Sequence, residues 1–143
     1  MCIRDRVWPL HPNPAVSQAV RPVIDALPDD LRQRVCLTEP MDYPALISLL
    51  QRCYFTLTDS GGIQEEASAL RRPVLIARDS TERQELVEAG GAVLVGTDIR
   101  RMVTEAARLL RDDGAYRSMQ LESSPFGDGH TAQHIADRLC TVD

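Results

Sequence analysis

Short apolar runs alternate with longer amphipathic stretches along this chain, and this alternation constrains its fold more than any other feature. Apolar runs of strand length end near Leu37, Thr58, Ile76 and Val95, and each is followed by a stretch with helical periodicity. Strand–helix–strand repeats at this spacing form right-handed crossovers, which give a parallel sheet with helices on both faces. The sequence therefore predicts an α/β fold, a three-layer α/β/α domain built on a parallel sheet.

The same pattern predicts the individual elements. Predicted strands cover residues 7–10, 35–37, 54–58, 74–76 and 92–95, and the third is expected to be buried. Predicted helices cover residues 15–27, 43–52, 63–70, 82–89, 98–111, 115–119 and 131–139. Pro22 predicts a kink or a late start in the first helix. Thr81 and Gln84 fit a capping box at the start of helix 82–89.

Composition limits the classes of partner. The 143 residues suit one domain, and 16 basic against 21 acidic residues give a net charge of −5. That balance argues against a broad basic face for nucleic acid or for an anionic membrane. Aromatic residues make up only 4%, and no apolar run approaches the roughly 20 residues of a membrane helix. We therefore expect no nucleic-acid partner and no membrane partner.

The cysteines and histidines predict neither a metal nor a disulfide framework. None of the four cysteines lies at metal-ligand spacing from another. His130 and His134 could share a metal on one helix face, but no third ligand is nearby in sequence. We expect no metal and no cofactor, and the unpaired thiols predict a reducing cytosol. Residues 1–6 differ in character from the rest, so we expect them to be a non-native leader ahead of a domain spanning residues 7–143.

The loop after the strand at 54–58 is the strongest candidate for a ligand site, since parallel sheets bind ligands at the carboxyl ends of their strands. Ser60, Gly61 and Gly62 join that strand directly to a helix. Glycines let a ligand approach the backbone, and a helix N-terminus offers free N–H groups to an anion. The alternative interpretation is a tight turn with a serine N-cap.

Charged residues near this loop suggest how a nucleotide could be held. Glu66, one turn into the helix, could accept hydrogen bonds from both hydroxyls of a ribose, and it is better placed than Glu65 if Ile63, Ala67 and Leu70 form the buried stripe. Arg78 and Arg83 follow the next strand, and guanidinium groups match phosphate geometry. The alternative for these arginines is a salt-bridged surface loop. His11, between a strand end and prolines, could bind an anion or serve a structural role.

Three longer motifs, taken in order, resemble a known family. They are Asp-Ser-Gly-Gly-Ile-Gln-Glu-Glu from Asp59, Arg-Asp-x-Thr-Glu-Arg from Arg78, and Pro-Phe-Gly-Asp-Gly from Pro125. The chain from Val7 to about Leu139 resembles the C-terminal half of the non-hydrolysing UDP-N-acetylglucosamine 2-epimerases. The resemblance implies a GT-B-like fold of two Rossmann-like domains. It also implies interconversion of UDP-GlcNAc and UDP-ManNAc by anti-elimination and re-addition of UDP.

The resemblance also implies a role for matching residues. Ser60, Gly61 and Gly62 would hold the phosphates of UDP. Glu66 would bind the ribose, and Arg83 would lie on the phosphate side. These roles agree with the interpretation reached from the residues themselves.

Other positions match the family only in part. Met41 and Leu46 stand where the family has a glutamine and a phenylalanine that help to receive the uracil. The resemblance therefore implies an apolar base pocket here, in which backbone groups near Met41 read the base. His11 matches a family histidine close to the UDP-sugar sites, either as a substrate contact or as an allosteric one.

The resemblance places the acidic residues of the proton transfers in the N-terminal domain, so no catalytic residue is expected in this chain. We expect the chain to bind UDP or UDP-GlcNAc as a monomer and without turnover. We expect the full-length enzyme to be a homodimer. Two alternatives remain open. One is the donor-nucleotide domain of a hydrolysing epimerase or a GT-B glycosyltransferase, and the other is a non-catalytic nucleotide-binding module.

Overall fold

The computed structural model of the chain describes residues 6–141. The chain divides into two compact units, of which the first ends at Leu46 and the second begins at Ile47. The leader expected at residues 1–6 lies outside the described residues, except for Arg6, with which the first strand begins.

The first unit contains two parallel strands, β1 (Arg6–Pro9) and β2 (Val35–Thr38), with Val7 opposite Cys36. Helix α1 (Pro14–Asp25) lies between them in sequence and is capped by the Asn13 side chain, which accepts from the Ala15 N–H at 3.0 Å. The late start predicted from Pro22 is wrong, because α1 begins at Pro14 and continues through Pro22.

Two further helices begin in the first unit. A short helix that was not predicted, α2 (Asp29–Arg32), follows Pro28 and has two aspartates in its first turn. Acidic residues stabilise a helix N-terminus, which explains why so short a polar segment is helical. Helix α3 (Tyr43–Arg52) has the predicted bounds.

The second unit contains a three-stranded parallel sheet. Its strands, in spatial order, are β3 (Thr56–Thr58), β4 (Val74–Ile76) and β5 (Ala92–Leu94). Its helices are α4 (Gly61–Ala69), α5 (Gln84–Glu88), α6 (Ile99–Arg111), α7 (Asp113–Ser118) and α8 (Thr131–Cys140). None of the helices in residues 6–141 combines the length and the apolar character needed to cross a membrane.

Side chains of the central strand β4 point alternately to two cores. Val74 and Ile76 pack with Ala67 of α4 and Leu86 of α5. Leu75, on the opposite face, packs with a second cluster that includes Leu109 of α6. All of these side chains are fully buried. Helices therefore cover both faces of the sheet, and the predicted α/β class with parallel strands is confirmed.

The strand expected at 54–58 is shorter and more exposed than predicted. Only Thr56–Thr58 are in β3, and Leu57 is 50% exposed. The reason is its position at the edge of the three-stranded sheet, where it pairs with β4 alone. Tyr54 lies outside the strand and stacks on Tyr116 with ring centroids 3.9 Å apart.

Candidate functional site

The link between β3 and α4 exposes the start of a helix. Helix α4 begins at Gly61 rather than at the predicted Ile63. The first-turn N–H groups, which include those of Gly61 and Gly62, have no partner inside the helix. Ser60 is the N-cap residue, but its hydroxyl makes no capping hydrogen bond, so the predicted serine cap is wrong. Its N–H instead donates to Thr58 Oγ1 at 3.1 Å. The first turn therefore presents backbone donors that no side chain caps.

The loop after β4 brings the guanidinium of Arg83 next to this helix start. A Cβ atom added to Gly61 would lie 3.8 Å from Arg83 Nη2 and 3.0 Å from Glu82 Oε1. A larger residue at Gly61 would therefore press on both charged side chains. A Cβ atom added to Gly62 would meet nothing within 4 Å. Of the two glycines, Gly61 is therefore the one with close neighbours, and a larger residue there would displace the exposed Glu82 side chain.

Arg83 is held by Glu65, a contact that the sequence analysis missed. Arg83 Nε donates to Glu65 Oε1, with the two side chains 32% and 40% exposed. The sequence analysis named Glu65 only as the less favourable candidate for the ribose contact. One sequence signal could have indicated this ion pair: Glu65 and Arg83 carry opposite charges and follow successive strands, β3 and β4. Arg83 Nε already donates to Glu65. The Nη nitrogens of Arg83 therefore remain as donors for a ligand near Gly61.

The other arginine of the loop has a different partner. Arg78 Nη1 donates to Glu82 Oε2 at 3.2 Å, and both side chains are largely exposed. For Arg78 the salt-bridge interpretation is therefore right. Glu82 Oε1 lies 3.8 Å from Arg83 Nη1, so this carboxylate lies between the two guanidinium groups.

Glu66 differs from Glu65 in having an oxygen without a partner. Its Oε2 atom is buried and accepts no hydrogen bond from the described residues. A buried acceptor left unpaired is unfavourable, but this oxygen can reach a ligand hydroxyl only if the side chain turns towards solvent. The contact between Glu66 and a ribose stays a prediction.

A buried pair of polar side chains joins α4 to the loop that carries Arg83. Gln64 is 0% exposed and Thr81 is 4% exposed. Thr81 Oγ1 donates to Gln64 Oε1 at 2.8 Å and accepts from the Arg83 N–H at 3.1 Å. The predicted capping box is wrong, because α5 begins at Gln84 and its N-cap, Arg83, makes no side-chain cap.

The buried face of α4 also differs from the predicted one. Gln64, Ala67 and Ser68 are buried, whereas Ile63 and Leu70 are only partly so. Small and polar side chains can form this face because the helix lies close to polar partners: Ser68 Oγ is 3.3 Å from Ser124 Oγ. Gln64 Nε2, in contrast, is buried without a partner among the described residues. An unsatisfied buried donor costs about 1–3 kcal/mol of folding free energy.

The remaining candidate residues lie in the first unit. His11 Nδ1 accepts from the Asn13 N–H at 3.1 Å just before α1, and its role as a ligand contact stays a prediction. Asp42 accepts from the Ala45 N–H at 2.9 Å at the start of α3. Met41 precedes this helix and Leu46 lies within it, and both are partly buried. The structure thus places Ser60, Gly61, Gly62, Glu66 and Arg83 in the second unit and the other three in the first.

Comparison with known proteins agrees with this fold and these motifs. The family model described as UDP-N-acetylglucosamine 2-epimerase matches residues 3–140. The UDP-N-acetylglucosamine 2-epimerase of Yersinia pestis is 43% identical over 133 residues, which are 93% of this chain and 34% of that protein. The chain therefore spans about a third of the length of the curated relatives it matches.

Two solved structures with bound nucleotide are also similar. The S. aureus MnaA–UDP co-structure has a TM-score of 0.85 and 36% identity, over 94% of this chain and 36% of that one. The UDP-GlcNAc 2-epimerase from Neisseria meningitidis bound to UDP-GlcNAc has a TM-score of 0.85 and 34% identity, over 96% and 36% of the two chains.

The parallel α/β architecture, with its exposed helix start at the carboxyl end of β3, is that of a Rossmann-like domain of the GT-B fold. Within this class, the chain belongs to the UDP-N-acetylglucosamine 2-epimerase family.

Proposed function

We propose that this chain binds UDP, with the phosphates at the first turn of α4 and against Arg83. The observation that carries the proposal is the position of the Arg83 guanidinium, 3.8 Å from where a Gly61 side chain would begin. Free backbone donors, the helix dipole and a guanidinium then converge near one point, which favours an anion once the exposed Glu82 carboxylate, 3.0 Å from the same point, turns away into solvent. Similar proteins were solved with UDP and with UDP-GlcNAc, which supports a uridine nucleotide as that anion.

Calorimetry with UDP tests this proposal. Arg83→Ala is expected to weaken UDP binding about tenfold or more, because a charge-assisted hydrogen bond is worth roughly 1.5–3 kcal/mol. Arg78→Ala is the matched control, because Arg78 contacts the same Glu82 carboxylate as Arg83 but the guanidinium nearest to Gly61 is that of Arg83, so the effect of Arg78→Ala is expected to be much smaller. Uridine should bind far more weakly than UDP. Equal affinities for uridine and UDP, or equal effects of the two substitutions, would show that the phosphate assignment is wrong.

We propose further that Glu66 binds the ribose and takes no part in proton transfer. Its buried Oε2 atom has no partner in the described part of the chain, whereas the neighbouring Glu65 is committed to Arg83. A carboxylate that accepts from both ribose hydroxyls loses one hydrogen bond when the 2′-hydroxyl is missing. The site is therefore expected to prefer ribonucleotides.

The preference can be measured as the ratio of affinities for UDP and 2′-deoxy-UDP. Wild-type protein is expected to favour UDP about tenfold, in line with roughly 1.5–3 kcal/mol for a hydrogen bond to a charged group. Glu66→Gln should reduce that ratio. Glu65→Gln should weaken both nucleotides alike through Arg83 and leave the ratio unchanged. A wild-type ratio close to unity would exclude the ribose contact.

The wider function of the full-length protein follows from the family. We expect it to interconvert UDP-GlcNAc and UDP-ManNAc by anti-elimination and re-addition of UDP, as a homodimer in the reducing cytosol. Met41 and Leu46 remain the predicted uracil contacts, and His11 the predicted UDP-sugar or allosteric contact. The 143-residue chain alone is expected to be a monomer without turnover.

A further inference from the structure

We propose that Gln64 and Thr81 are positioning residues, whose buried hydrogen bond fixes Arg83 against the phosphate site. This inference rests on the proposed binding of UDP phosphates by α4 and Arg83. Gln64 lies on α4, the helix whose first turn faces the phosphate, and Thr81 lies on the loop that carries Arg83. The bond between them at 2.8 Å therefore ties together the two sides of the site.

The direction of the hydrogen bonds explains how the pair acts on Arg83. A threonine hydroxyl has one proton to donate and lone pairs that accept. Because Thr81 gives its proton to Gln64 Oε1, its oxygen lone pairs face the Arg83 N–H, from which it accepts at 3.1 Å. Gln64 thereby sets the orientation of the hydroxyl that holds the backbone of Arg83.

Arg83 needs such support because its backbone is not part of a regular element. It precedes α5 with φ −105° and ψ 52° and makes no capping bond of its own. Its side chain is held by Glu65, a partner that is 40% exposed. Thr81 therefore fixes the backbone of Arg83 while Glu65 orients its guanidinium.

A purely structural role does not explain the choice of glutamine. Gln64 is fully buried, yet its Nε2 atom has no partner among residues 6–141. A methionine of similar length would fill the same space and remove the unsatisfied Nε2 donor, but it would leave the buried Thr81 hydroxyl without its acceptor, so the two effects on stability offset each other. The stability of the fold therefore does not explain the glutamine. What methionine cannot supply is the acceptor that orients Thr81.

This difference allows the positioning role to be separated from a structural one. UDP affinity by calorimetry and thermal unfolding would be measured for Thr81→Val, Thr81→Ser and Gln64→Met, with Arg83 present and in the Arg83→Ala background. Ser68→Ala is the matched control, because Ser68 is also a buried hydroxyl on α4 but bonds to Ser124.

We expect Thr81→Val to weaken UDP binding about fivefold, as for the loss of one ordinary hydrogen bond, and Thr81→Ser to restore it. In the Arg83→Ala background, Thr81→Val should change the affinity by less than about twofold, because coupled residues are not additive. Gln64→Met should weaken UDP binding while the unfolding temperature changes little, because one unpaired buried donor replaces another. Ser68→Ala should leave the affinity unchanged.

The inference is overturned if Thr81→Val weakens UDP equally in both backgrounds, or if Gln64→Met lowers the unfolding temperature without changing the affinity. If Thr81→Val fails to fold, Gln64→Met and its Arg83→Ala double variant provide the same comparison. If Arg83→Ala leaves the UDP affinity unchanged, the proposed function itself is wrong, and the inference is overturned with it. This outcome is recognised from Arg83→Ala alone, without any variant of Gln64 or Thr81.

Discussion

The 143-residue chain is expected to leave the C2 proton of UDP-GlcNAc unexchanged in deuterium oxide, even at concentrations where UDP binds. Epimerisation at C2 needs a base on one face of the sugar and an acid on the other, as well as residues that bind the departing UDP. The residues proposed here supply only the last of these, and the chain spans about a third of the relatives it matches. Mass spectrometry of recovered UDP-GlcNAc would detect exchange without net product.

A fusion protein provides the complementary experiment. Joining the N-terminal domain of a relative ahead of β1 should restore exchange if the UDP site is intact. The replacement of the uracil-side glutamine and phenylalanine by Met41 and Leu46 should then raise KM more than it lowers kcat, because base contacts are alike in ground and transition states. Deuterium incorporation by the 143-residue chain alone would contradict the assignment of the proton-transfer groups to the N-terminal domain.

Leu75→Ala is expected to destabilise the fold by about 2–5 kcal/mol, a large share of the roughly 5–15 kcal/mol that stabilises a typical domain. Leu75 is at the centre of β4 and fully buried, so the cavity would lie where the sheet packs against α6. Leu57 is its paired residue in the neighbouring strand, but it is 50% exposed. Leu57→Ala should therefore cost about 1 kcal/mol or less.

Urea denaturation of the two variants measures this difference directly. The comparison is well matched, since both residues are leucines at facing positions of adjacent strands. Equal losses of unfolding free energy would mean that β4 is not the centre of the second unit's core.

The parts of the fold that depend on local pattern were predictable. Helix α3 has the predicted bounds, and β4 runs from Val74 to Ile76 as expected, because apolar spacing and flanking residues specify such elements. The same local patterns placed the start of α4 at the wrong residue, Ile63 instead of Gly61. Two glycines suggest a turn because glycine has a low helix propensity, yet here they form the first turn of α4.

Contacts between distant segments could not be predicted from local pattern. Glu65 was not predicted to pair with Arg83, and only the fold reveals this contact. Gln64 was given no role from the sequence, and only the packing of α4 brings it to Thr81. The exposure of Leu57 follows from the strand order, which periodicity does not encode.

The loop before α4 lies close to the loop that carries Arg83, and this proximity has a consequence for how the proposed site can be inherited. Helix α4 and the Arg83 loop leave from adjacent strands, with Thr58 paired to Ile76. Everything proposed to face the phosphate is thus encoded in one uninterrupted segment that begins with β3 and ends before β5. A genetic crossover outside this segment transfers the proposed phosphate contacts whole, whereas a crossover between α4 and β4 separates Gln64 from Thr81. Recombination between relatives is therefore expected to keep these contacts only if this segment is inherited as a single piece.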